Sequence, residues 1–238
     1  MKHPAFATIC FVLAITVSCS QNPRAEEIIS DAPWAASWIG TQHKISPDTA
    51  RHFPAPYFRK EIVLSGRPEK ARIDICGLGF YELYINGRKV GDKVLTPAVT
   101  NYDVRSLSGV LYPYDDKSRQ RCLYDSYDVS TMLRKGANAI GIVLGNGWYN
   151  QWSTTVEGRM WYDTPRVAAS LEIVCRDGSR LDVPTDSTWK LSEGPLLEDS
   201  IFIGEVYDAR LGLGDWTMPG YDDSAWSYAV PVRASSGT

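Results

Sequence analysis

From Phe58 to Val90 the side chains swap polarity at every second position, and the swapping stops where glycine appears. Ala71-Arg-Ile-Asp-Ile-Cys76 alternates cleanly before Gly77-Leu-Gly79 breaks it, and Phe80-Tyr-Glu-Leu-Tyr-Ile85 alternates again. Period two places one set of side chains on one face of a strand, so each run predicts a half-buried strand. Asn86-Gly87 between two such runs is the strongest short-range hairpin signal, because both residues tolerate positive φ. The pattern recurs where Ala168-Ala-Ser-Leu-Glu-Ile-Val-Cys175 and Ser179-Arg-Leu-Asp-Val183 flank Asp177-Gly178. Phe58-Arg-Lys-Glu-Ile-Val-Leu64 and Asn138-Ala-Ile-Gly-Ile-Val-Leu144 add further strands. One helix is expected, Ser130-Thr-Met-Leu-Arg-Lys-Gly136, with Ser130 as its cap and Gly136 as its stop. Many short strands, frequent turns and no strand–helix–strand alternation give an all-β sandwich.

Composition narrows the function classes. The chain has 238 residues, 44% apolar and 22% charged, which is ordinary for a globular protein. A net charge of −3 offers no basic stripe for a nucleic-acid backbone. Eight Trp and thirteen Tyr suit an all-β core and surfaces that stack on sugars.

The N-terminus reads as an export signal. Met1-Lys-His precedes an apolar run from Ala5 to Val17, and Thr16-Val17-Ser18-Cys19 resembles a lipobox. Residues 1–18 are therefore expected to be a lipoprotein signal peptide and Cys19 a lipidation site. The protein is then exported, lipid-anchored at the outer membrane or periplasmic, with the cell surface also open. Residues 19–33 form a polar tether and residues 34–238 the folded domain. Within it, residues 106–121 read as a loop insertion around Pro113 and Asp115-Asp116. Cys76 and Cys175 fall in apolar alternation and are expected as buried thiols, although one pair among Cys76, Cys122 and Cys175 can bridge outside the cytoplasm.

Several chemistries are excluded or left open. The three histidines, His3, His43 and His52, precede the main strands and sit beside no nucleophile-elbow pattern or cysteine pair. Gly145-Asn-Gly147 lacks the lysine and helix of a phosphate loop. Carboxylate pairs stay open in principle, but Asp222-Asp-Ser-Ala-Trp226 reads as a turn whose aspartates bond backbone amides while Trp226 enters the core. Loop oxygens of Asn101, Asp103 and Asn146 suit calcium. In Leu144-Gly-Asn-Gly-Trp-Tyr-Asn-Gln-Trp152, Leu144 closes a core strand, the glycines turn the chain, and Trp148 and Tyr149 cap the sandwich. Asn146, Asn150, Trp152 and Trp161 are the expected carbohydrate contacts.

A set of motifs in one order carries a family resemblance. Ile75-Cys-Gly-Leu-Gly-Phe-Tyr-Glu-Leu-Tyr-Ile-Asn-Gly87, Leu95-Thr-Pro97, Thr100-Asn-Tyr-Asp103, Tyr127-Asp-Val129, Leu144-Gly-Asn-Gly-Trp-Tyr149, Ile203-Gly-Glu-Val-Tyr-Asp-Ala-Arg210 and Pro219-Gly-Tyr-Asp-Asp-Ser-Ala-Trp226 resemble the N-terminal region of bacterial α-L-rhamnosidases of glycoside hydrolase family 78. The resemblance implies a galactose-binding-like jelly roll. It implies that catalysis belongs to an (α/α)6 barrel beyond residue 238, so this chain has no catalytic residues of its own. It also implies a rhamnose-containing glycan as partner, with calcium at the sugar site of some members. Glu205, Tyr207, Asp208 and Arg210 are then expected to dock that barrel. The expected role is a non-catalytic accessory, carbohydrate-binding module. A free-standing calcium-dependent rhamnose lectin, a structural domain without ligand and a self-contained glycosidase are its rivals.

Overall fold

The computed structural model describes residues 35–41, 53–102, 121–150, 162–202 and 204–233. In chain order the strands are β1 (Ile39–Gly40), β2 (Pro56–Leu64), β3 (Pro68–Leu78), β4 (Phe80–Ile85), β5 (Arg88–Lys89), β6 (Asp125–Asp128), β7 (Gly136–Gly145) and β8 (Arg166–Cys175). They continue with β9 (Arg180–Pro184), β10 (Lys190–Glu193), β11 (Leu196–Ser200), β12 (Gly204–Tyr207), β13 (Ser227–Tyr228) and β14 (Val230–Pro231). One antiparallel sheet runs β14-β1-β8-β3-β6, with β9 also on β8, and the other runs β13-β10-β2-β7-β4-β5. β11 and β12 form a separate hairpin. The all-β expectation holds.

Alternation explains the core. Ile73 and Ile75 of β3 and Ala169, Leu171 and Ile173 of β8 point inward from the first sheet. Phe58 and Leu64 of β2, Leu83 and Ile85 of β4, and Ile140, Ile142 and Leu144 of β7 meet them from the second. Both hairpin expectations hold: Asn86 and Gly87 adopt φ of 50° and 79°, joining β4 to β5, and Gly178 at φ 83° lies between β8 and β9. Among the described residues Cys76, Cys122 and Cys175 are thiols, with Cys76 and Cys175 buried. A hydrogen bond with Cys122, then burial, pushes the Cys76 thiol up.

The helix expected over 130–136 does not form; residues 130–132 are turns. Side chains from neighbouring strands take the groups a helix would use. Asn138, fully buried on β7, accepts the Arg134 amide at 2.9 Å and donates to the Arg134 carbonyl at 2.7 Å. Asn86 donates to the Met132 carbonyl at 2.8 Å, and the Ser130 hydroxyl accepts the Ala71 amide of β3 at 2.8 Å. Tertiary hydrogen bonds override a weak local propensity here.

Candidate functional site

β7 ends at Gly145, and the chain turns through Asn146 and Gly147, the latter at φ 49°. Asp199 of β11 holds that turn. The Asn146 backbone N–H donates to Asp199 Oδ1 at 2.7 Å, and its side-chain amide donates to Asp199 Oδ2 and to the Asp199 carbonyl, both at 3.0 Å. Asn150, only 2% exposed, donates its amide to Asn146 Oδ1 at 2.6 Å. Tyr149 is fully buried, stacked on Tyr162 at 5.4 Å and edge-on to Tyr102 at 5.3 Å. Trp148 is only half-buried, edge-on to Phe202 at 5.6 Å, so of the expected capping pair Tyr149 alone enters the interior.

These contacts redefine the sequence candidates. Asn146 is half-buried and held by Asp199, and Asn150 is buried with its amide on Asn146. Asn101 Oδ1 accepts the Tyr162 hydroxyl at 3.0 Å. Asn101 and Asn146 each bring a neutral side-chain oxygen that accepts a hydrogen bond, and calcium takes roughly six to eight oxygens in all. Among the described residues no three His, Cys, Asp or Glu side chains gather as for a metal. Asp103, Trp152, Trp161, Cys19 and most of the 106–121 insertion lie outside the described residues.

A cleft of about 600 Å³ lies elsewhere, on the outer face of the second sheet. Tyr57 of β2, Val143 and Gly145 of β7, and Glu82 and Tyr84 of β4 form its floor. The β11–β12 hairpin and residues 212–217 wall it. Asp199 and Glu205 are cross-strand partners in that hairpin, as are Leu196 and Tyr207, and all four line the cleft. Sequence set Glu205 and Tyr207 against Asp208 and Arg210 along a strand-like stretch, with Asp208 able to pair with Arg210; the strand ends at Tyr207 and the pair forms. Asp208 caps the short 3-10 turn η1 (Ala209–Leu211) and pairs with Arg210 at 2.6 Å, the Arg210 side chain being 89% exposed.

The cleft's polar groups are arranged in pairs. Glu82 takes Lys89 and the Tyr84 hydroxyl, each at 2.5 Å. Burial pushes the Glu82 carboxyl up, but those two donors outweigh it and leave it below the usual range. Burial drives Asp199 the other way, up to about 6, against the lowering hydrogen bond from Asn146 and with Glu205 adding repulsion. Burial also lifts the Tyr57 phenol to about 12, helped by Tyr207, Glu82 and Glu205 across the cleft. At the mouth, Lys93 pairs with Asp125, which also accepts Tyr81 at 2.7 Å and Thr96 at 2.6 Å.

One buried cation builds the aromatic end. Arg59 of β2, 1% exposed, pairs with Asp223 and with Glu61 at 2.5 Å. Its guanidinium also donates to the carbonyls of Trp216 at 2.9 Å and Met218 at 3.0 Å, and lies 5.5 Å from the Tyr221 ring centre. This fastens residues 216–223 over the sheet. Trp216 rests on Gly141, where an added Cβ would lie 2.5 Å from the indole. It meets Tyr57 at 5.3 Å and Tyr84 at 6.0 Å, both edge-on. Asp223 therefore serves Arg59, while Asp222 makes the expected turn by accepting the Ser224 amide at 3.0 Å, and Trp226 is buried. Arg59, Trp216, Tyr57, Tyr84 and Asp199 were not singled out from sequence. Gly141 in the middle of an apolar strand was the available signal, since such a glycine often marks close approach.

The sequence profile described as "Alpha-L-rhamnosidase N-terminal domain" matches residues 66–110 and 108–238. An α-L-rhamnosidase of Formosa agariphila is 41% identical over 182 residues, covering 74% of this chain and 17% of that protein. Among solved structures, the α-L-rhamnosidase of Dictyoglumus thermophilum superposes with a TM-score of 0.70 at 35% identity, covering 86% of this chain and 22% of the other. The Streptomyces avermitilis α-L-rhamnosidase, solved with L-rhamnose, gives a TM-score of 0.66 at 31% identity, covering 77% and 16%. The chain spans about a fifth of the length of these relatives.

Proposed function

The chain belongs to the α-L-rhamnosidase N-terminal domain family, and on that premise we propose that it is a non-catalytic accessory module of an exported α-L-rhamnosidase. Its part is to brace a catalytic domain supplied elsewhere in the enzyme and to hold rhamnose-containing glycan near it. Export and attachment through Cys19 belong to the same reading and rest on the N-terminal sequence pattern.

The observation that supports bracing is the β11–β12 hairpin with η1. It forms its own two-stranded sheet. It exposes Val206 at 52%, Leu211 at 49% and Phe202 at 46%, beside the Asp208–Arg210 pair. Ordered strands with clustered apolar exposure suit a surface that another domain covers. The Asp208–Arg210 pair adds orientation more than energy, because exposed pairs contribute little.

The test has two arms. Val206→Asp with Leu211→Asp should leave the melting temperature of the 238-residue chain unchanged and lower that of an α-L-rhamnosidase carrying this domain. Equal melting temperatures in the longer enzyme would rule out bracing by this hairpin. Calorimetric titration of the chain with L-rhamnose, with and without calcium, addresses glycan binding. Heat that appears only with calcium would favour the calcium-dependent mode, and no heat in either condition would leave a structural domain.

A further inference from the structure

We propose that the cleft between the outer face of β2, β7 and β4 and the β11–β12 hairpin is a saccharide subsite for two or more linked sugar units. The proposal rests on the glycan-binding reading above and moves the contact from the loop after β7 to the sheet face.

Three features carry it. The first is an aromatic wall: half-buried Trp216 and Tyr84 meet edge to face at 6.0 Å, and the buried Tyr57 backs Trp216 at 5.3 Å. Two of these rings lie against glycine backbone. A Cβ at Gly141 would sit 2.5 Å from Trp216, and one at Gly194 would sit 2.6 Å from Tyr57. Absent side chains beneath the rings let them sit close to the backbone and fix their planes, as a surface for C–H faces requires. Tyr207, 61% exposed, stands on the hairpin that walls the same cleft.

The second feature is the polar lining. A sugar hydroxyl both donates and accepts. The Glu82–Lys89–Tyr84 group presents a carboxylate, an ammonium and a phenol within hydrogen-bond reach of one another, and Glu205 adds a carboxylate from the hairpin. Lys89 compensates Glu82, so that cluster selects neither a phosphate nor a free amine strongly. Tyr57, Glu82, Glu205 and Tyr207 all line this one space.

The third is size. About 600 Å³ falls within the span of small-molecule clefts and exceeds what one pyranose ring fills. The ligand class that matches aromatic faces, paired donors and acceptors and this length is a short neutral oligosaccharide.

The experiment is calorimetric titration of the 238-residue chain with L-rhamnose, a rhamnose-containing tetrasaccharide and choline. Tyr207→Ala and Glu205→Gln alter exposed side chains, so circular dichroism should match wild type. Tyr228→Ala, an exposed tyrosine on β13 outside the cleft, is the control. The tetrasaccharide should bind more tightly than L-rhamnose. Tyr207→Ala should weaken it about fivefold to tenfold, Glu205→Gln should weaken it measurably, and Tyr228→Ala should leave it unchanged. Wild-type affinity in both cleft variants would overturn the subsite and leave the glycan-binding module standing. Binding of choline without saccharide heat would overturn the ligand class. No saccharide binding to the wild-type chain would overturn both readings.

Discussion

Asp199 grips Asn146 from three directions, taking its backbone N–H at 2.7 Å and its side-chain amide at 3.0 Å on both a carboxylate oxygen and the main-chain carbonyl. The residues are 53 positions apart. The contact joins the end of a core strand to the hairpin that walls the cleft. Asp199→Ala removes two acceptors and leaves the Asn146 backbone N–H unmatched in a half-buried site, while the side-chain amide keeps the residue-199 carbonyl. We expect a loss of about 1–3 kcal/mol in urea-unfolding free energy. Asn146→Ala should cost a similar amount, and the double variant less than the sum, because both remove one latch.

The same aspartate gives a pH signature. Burial lifts its carboxyl from the ordinary 3.8 to about 6 in the folded state. Between those values the folded chain keeps a proton that the unfolded chain has released, so this group's contribution falls as pH rises from about 4 to about 6 and is level above. Measured against Asp199→Asn, the wild-type unfolding free energy should decline across that window and run parallel from pH 7 to 8. A difference that rises with pH would show the carboxyl is held ionised.

Arg59 offers a sharper test of the cleft's construction. Arg59→Met keeps the length and removes the charge, stranding Asp223 and Glu61 and freeing the carbonyls of Trp216 and Met218. We expect a loss of about 1–3 kcal/mol by chemical denaturation, since two carbonyls lose their donor while Asp223 and Glu61, 25% and 32% exposed, keep part of their hydration. Trp216 fluorescence should shift to the red as its loop loosens.

Two glycines separate strain from displacement. Gly79 sits at φ 114°, and a Cβ there would lie 2.1 Å from the Gly145 carbonyl oxygen. Gly79→Ala meets backbone and should cost more than about 3 kcal/mol or prevent folding. Gly141→Ala meets the Trp216 indole at 2.5 Å, a side chain that can shift. It should cost less and act mainly on saccharide affinity. Equal effects in thermal melts would contradict the assignment of Gly141 as a seat for Trp216.

The fold was legible because alternation and turn chemistry are local. Ala71 to Cys76 and Phe80 to Ile85 carry their strand faces in plain sequence, and Asn86-Gly87 carries its hairpin. The helix expected at Ser130 failed because Asn138, just beyond it on β7, and Asn86, 46 positions before Met132, take its backbone groups. The cleft was hidden for the same reason. Arg59 and Asp223 are 164 positions apart, Tyr57 and Trp216 meet only after the loop folds back, and no spacing records either contact. Glu205 and Tyr207 were visible as strand-like alternation, but the face they share belongs to the cleft and not to Arg210.

Incubating the purified 238-residue chain with an aryl α-L-rhamnoside tests the central claim most directly. Asp199 and Glu205 are cross-strand neighbours that both line the cleft, a carboxylate pair whose part in any turnover can be tested by substitution. A non-catalytic module releases no aryl group above the uncatalysed rate while it still binds rhamnose-containing oligosaccharide. Hydrolysis that disappears in Asp199→Asn or Glu205→Gln would contradict that claim.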